Sequence, residues 1–242
     1  MVRAAESPDE SAERTRGGRG RGGADREDQN RGGPERDDRN RDGLDRDDRE
    51  RLGRDRGRPE RGVEDLDRLA ERWRTAPDGT RRFVPSFDPD SGGVEARILL
   101  LMQSPARSTV AAGARAVCSE DNPGPTASAL RRAREEAGVP RGLCLRWNVV
   151  PWALEGRPGR ADLEEGRLAL GELIRALPGL RAVVAFGDPA LQGVMRHLTL
   201  AEDAEPLPVL GVPHLSPANG HHRAEQHVRA VRALRLAHRA AS

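Results

Sequence analysis

The chain has no lysine and no tyrosine, and aromatic residues make up only 2% of its 242 positions. Every fixed cation is therefore a guanidinium, which a coding bias toward arginine explains as readily as a functional demand. Cysteine is nearly missing too. Cys118 and Cys144 are the only two, and they lack C-x-x-C spacing. That excludes a disulfide framework and gives no reason to expect a zinc or iron–sulfur site. No apolar run approaches 18 residues and no charged-then-apolar leader opens the chain, so a membrane partner is not expected. The expected location is cytoplasmic and nucleoid-associated, with both thiols reduced. No strand is followed by GxGxxG or GxxxxGK[ST], which argues against a dinucleotide or ATP enzyme. No cofactor is expected.

Large apolar residues are almost absent from residues 1–62, which hold 17 Arg and 17 Asp plus Glu. Such a segment cannot bury enough surface to offset its chain entropy, so it is expected to be a disordered tail. It carries three Arg-Gly-Gly steps, at Arg16, Arg21 and Arg31. Such steps can follow a nucleic-acid backbone by charge and guanidinium stacking. The acids cancel the arginines, however, and a solvated linker is the plainer reading. The remaining residues, 63–242, are expected to form one domain.

What is present there is regular. Val63, Leu66, Leu69, Ala70 and Trp73 recur at helical steps and predict a short amphipathic helix. Four apolar runs read as strands: "ARILLLM" (96–102), "LCLRWNVV" (143–150), "RAVVAF" (181–186) and "LPVLGV" (207–212). Helical patterns separate them. "TASALRRAREEAG" (126–138) has Thr126 as its expected N-cap and Gly138 as its C-cap. "DLEEGRLALGELIRALPG" (162–179) is expected to open on Asp162, with Glu165 completing a capping box. Asp188-Pro189 reads as cap and first turn of the next helix. A last helix is expected from about Arg223 to Ala240. Alternation of this kind predicts an α/β fold, a four-stranded parallel sheet between two helical layers.

Ligands of such sheets sit beyond the carboxyl ends of the strands. The residues expected on that rim are Gln103-Ser104-Pro105, Trp147-Asn148, Gly187-Asp188 and His214-Leu215-Ser216-Pro217. Taken singly each has a structural explanation; Asp188 is adequately explained as a helix cap. Their coincidence on one rim predicts a shared cleft with His214 facing it. His214, His221, His222 and His227 match no zinc spacing, so no metal is expected.

At these positions the domain resembles the uracil-DNA glycosylase superfamily, as a divergent bacterial member. Three segments carry the resemblance, in order: Met102-Gln103-Ser104-Pro105-Ala106, Trp147-Asn148-Val149-Val150 and His214-Leu215-Ser216-Pro217. The resemblance implies a monomer that excises uracil or another deaminated base from DNA by hydrolysing the N-glycosidic bond. It implies that Asn148 reads the base edge, since a carboxamide has both a donor and an acceptor. It implies that His214 stabilises charge on the departing base, with backbone N–H groups around Gln103 and Ser104 adding donors. Ser216 and Asn219 would press on the DNA backbone, and Trp147, or Trp152, would stack on the base. Ser104 stands where some members carry a water-activating acid, and a hydroxyl is no general base at neutral pH. The alternative is a nucleic-acid-binding relative that kept the pocket without useful chemistry.

Overall fold

A computed structural model describes residues 59–216 and 223–242. The tail expectation falls almost wholly outside them, as do Asn219, His221 and His222. The first helix, α1 (Pro59–Trp73), begins inside the segment that composition assigns to the tail. It packs on the domain itself. Val63, Leu66, Leu69, Ala70 and Trp73 are all buried in the core.

Four parallel strands follow: β1 (Ile98–Met102), β2 (Cys144–Asn148), β3 (Ala182–Phe186) and β4 (Val209–Val212). Their order is β2-β1-β3-β4. The expected parallel sheet is therefore present. The helices are α2 (Arg107–Ala111), α3 (Pro125–Ala137), α4 (Arg160–Arg175), α5 (Asp188–Leu200) and α6 (Arg223–Ala241). Sequence patterning missed α2, which at five residues is too short to show a period.

Side chains alternate across the sheet, so each strand feeds two cores. Leu99, Leu101, Leu145, Trp147, Val183 and Ala185 face α1, α4 and α5. Ile98, Leu100, Met102, Cys144, Val184 and Phe186 face α3 and α6. The chain moves one way from β1 to β2 and the other way from β2 through β3 to β4. One crossover hand then requires α3 on the opposite face from α4 and α5, as observed. β1 is buried throughout, whereas β4 is an edge strand with only Val212 fully buried.

Three helix starts differ from expectation. α3 opens on Gly124 and Pro125, so Thr126 lies inside the first turn. Proline has no N–H to lose there, which makes it a good first residue. α4 opens after Gly159, whose N–H donates to Asp162 Oδ2 at 2.8 Å. Asp162 is thus the third residue of the helix, and Glu165 instead pairs with Arg82 at 2.5 Å. α5 starts on Asp188 as its first residue, and Gly187 holds the N-cap position. Gly138 does end α3, at φ 70°.

Two glycines bring helices down on the residue after β2. A Cβ at Gly166 would lie 2.4 Å from the Val149 carbonyl oxygen, and one at Gly193 would lie 2.0 Å from Val149 Cγ2. Val149 in turn donates its N–H to Met102 O at 2.8 Å. Gly166→Ala pushes on backbone that cannot rotate away. It should lower stability by about 1–3 kcal/mol, the range for overpacking. A thermal melt no lower than wild type would show that α4 can shift.

Candidate functional site

With order β2-β1-β3-β4, the connections that leave the neighbouring strands β1 and β3 run in opposite directions, so their loops diverge. A crevice is expected at that switch point. A cleft of about 600 Å³ lies there. Gln103 and Ser104 enter it from β1, Arg146 from β2, Asp188 from the start of α5, and His214 and Ser216 from the segment after β4. The loop at Leu154–Arg157 forms another wall.

Two glycine-dependent features seat His214. Gly187 leaves β3 at φ 87°, a backbone region that suits glycine. A Cβ there would lie 3.1 Å from His214 Cβ. The Gly187 N–H also donates to Val212 O at 2.8 Å, closing the strand end next to the histidine.

The His214 tautomer is set locally. The Ser216 backbone N–H donates to His214 Nδ1 at 3.1 Å. A nitrogen that accepts is unprotonated, so the neutral ring carries its proton on Nε2. Burial first, and then the nearby Arg146 charge, push the pKa of His214 below the ordinary imidazole range. The ring is therefore a neutral N–H donor at neutral pH. The other charged groups lining the cleft are Arg107, Arg157, Glu155 and Asp188.

That depressed pKa has a consequence for stability. The unfolded chain takes up the proton more readily than the folded one. Stability is then full above the unfolded value of 6.5 and falls as pH drops toward the lower folded value. His197, on the face of α5 that packs against Gly171 of α4, is lowered too, mainly by burial, and adds to the loss. Denaturation midpoints measured from neutral pH down to about pH 5 should therefore fall, and should fall less in His214→Ala. Equal slopes in the two proteins would contradict this.

Among the residues singled out from sequence, the cleft gathers His214, Gln103, Ser104 and Ser216. It does not gather the other two described ones. Trp147 is fully buried and stacks on Phe87, with ring centroids 3.6 Å apart and Trp73 closing the cluster at 6.0 Å. It points to the opposite sheet face from residues 146 and 148, so it is core. Trp152 is buried as well and lies under the Arg82 guanidinium, 3.4 Å from its ring centroid. Asn148 lies on the same sheet face as Arg146 but does not line the cleft. It is 3% exposed, and its Nδ2 donates to Cys118 Sγ at 3.6 Å. Burial pushes that thiol's pKa up, so the partner is an uncharged S–H.

Sequence reasoning passed over Arg146. The signal was there: one charge inside an apolar strand, two residues before Asn148 and therefore on the same face. Asp188, expected on the rim though explicable as a helix cap, lines the cleft. No three His, Cys, Asp or Glu side chains gather as a metal site among the described residues. Nor is any helix there long and apolar enough to cross a membrane.

A scan against protein-family models finds no match, and a search of curated proteins finds none. The geometry of the cleft therefore carries the functional reading.

Proposed function

We propose that the chain is a DNA glycosylase-like hydrolase that removes uracil or another deaminated base. The observation that carries this reading is His214, a neutral Nε2–H donor in a cleft at the switch point of a parallel sheet, with Gln103 and Ser104 in the same cleft. A base must leave the duplex to be cut, and a cleft of this size can take an extruded nucleotide. As the C1′–N1 bond breaks, its electron pair goes to the base, and negative charge gathers on the ring oxygens. A preoriented N–H donor stabilises that charge without first being reorganised. Water then adds at C1′. Ser104 cannot take its proton at neutral pH. The carboxylates lining the cleft are Glu155 and Asp188. Asp188, next to Gly187 on the His214 side, is the one assigned to receive it.

Apart from the His214 imidazole, the cleft lining holds no aromatic ring among the described residues. That favours a second reading, a DNA-binding relative with little chemistry, because an extruded base would have no Phe, Tyr or Trp ring to stack on. One assay separates the two. Purified protein is incubated with a uracil-containing oligonucleotide, and abasic sites are cleaved with alkali. Cleavage at the uracil supports the hydrolase. A gel shift with no cleavage supports the binding relative. An oligonucleotide that is neither cleaved nor shifted would remove both readings.

A further inference from the structure

Among the described residues, all the buried and half-buried arginines but one have carboxylate partners. Arg134 forks onto Glu120, Arg141 reaches Asp88 and Asp121, and Arg82 holds Glu165. Arg146 is the exception. Among the described residues no carboxylate lies within ion-pair distance of it, although Glu155 and Asp188 line the same cleft. Its Nη1 donates to the Ser119 carbonyl, and its Nε is buried without a partner. The side chain is half-buried, leaves the strand on the Asn148 face and lines the cleft.

An uncompensated guanidinium in a half-buried strand is costly to hold, and the cost falls when an anion arrives. The Ser119 carbonyl pins one end of the planar group. That leaves its other N–H groups in fixed directions, the arrangement that suits an oxyanion better than a mobile ammonium would. Arg146 is also close enough for its charge to bear on His214.

We propose that Arg146 is the anion-binding group of the cleft and holds an anionic oxygen of the ligand beside His214. This deepens the glycosylase reading and rests on it for the identity of the ligand, though not for the existence of the site. In that reading the oxygen has two sources. One is the departing base as the glycosidic pair moves onto its ring. The other is a backbone phosphate flanking the extruded nucleotide.

The test has two parts. In the first, the His214 ring protons are followed by NMR across pH, with His214→Ala assigning the signal. Inorganic phosphate is the probe. In wild type, phosphate should raise the His214 midpoint, because a bound anion offsets the guanidinium. In Arg146→Gln the midpoint should already be raised, and phosphate should no longer move it. In the second part, excision of uracil from an oligonucleotide is measured. If the anion is the departing base, Arg146→Gln should lower kcat by roughly 10²–10³-fold with KM little changed. If it is a phosphate, KM should rise and kcat should hold. Arg146→Lys keeps the charge but not the fork. It should restore the His214 midpoint while recovering only part of the activity, and it carries the test if Arg146→Gln fails to fold.

Wild-type protein that cleaves nothing, yet shows an Arg146-dependent phosphate response, would overturn the glycosylase reading and leave the anion site standing. A wild-type His214 midpoint indifferent to phosphate, with unchanged kinetics in Arg146→Gln, would overturn the anion site.

Discussion

Replacing His214 with alanine should lower uracil excision by roughly 10²–10³-fold, the usual loss for one donor aimed at developing negative charge. The motive is the ring's fixed tautomer, with Nδ1 occupied by the Ser216 N–H and the proton on Nε2. Such a donor acts mainly on the transition state, so kcat should fall and DNA affinity should change little. The depressed pKa adds a pH signature. Because the neutral ring is the useful form, wild-type activity should persist below the ordinary imidazole midpoint before it drops. Single-turnover excision at several pH values reads both effects. Excision by His214→Ala at the wild-type rate would end the proposal.

Asn148→Asp makes a useful contrast. Were Asn148 at the cleft surface, the change would swap an amide donor for an acceptor and alter base choice. Asn148 is instead 3% exposed and bonded to Cys118 Sγ. The substitution puts a carboxylate beside a buried thiol, so lower melting is expected along with any change in excision.

Glu120→Ala should lower stability by about 3–5 kcal/mol, the cost of stranding one member of a buried ion pair. Arg134 donates through Nε and Nη2 to both Glu120 oxygens, at 2.6–3.0 Å, and through Nη1 to Val139 O at 2.8 Å. The two side chains are 11% and 6% exposed. For a domain of this size the melting temperature should fall by about 6–20 °C. Glu120→Leu combined with Arg134→Met should recover much of the loss, because neither charge is then left behind. A single change that melts like wild type would mean that water reaches Arg134. The pair also bears on function. Glu120 follows Ser119, whose carbonyl anchors Arg146 and whose hydroxyl accepts from Arg141 at 3.1 Å. Loosening Glu120 should loosen the floor of the cleft as well.

The sequence by itself determined the elements. Five-residue apolar runs and helical stripes identify β1, β2 and β3 and their helices, because alternation and the 3.6-residue period are properties of the local chain. It also determined the rim, since parallel strands separated by helices must place their carboxyl ends together. That puts Gln103, Ser104, His214 and Ser216 in one place on the pattern alone. The tertiary structure decided which residues of a rim segment reach the cleft. Along β2, one step in sequence turns a side chain to the other face, so Trp147 went to the aromatic core and Arg146 to the cleft. Asp188 could be a cap or a cleft residue until Gly187 took the cap position and Asp188 came to line the cleft. Asn148 could be surface or wall until Cys118, 30 residues away in sequence, closed over its amide. Periodicity is a local property, whereas burial depends on what the rest of the chain brings alongside. A single sequence therefore located this cleft but left its floor to the packing of β2 against the segment around Ser119.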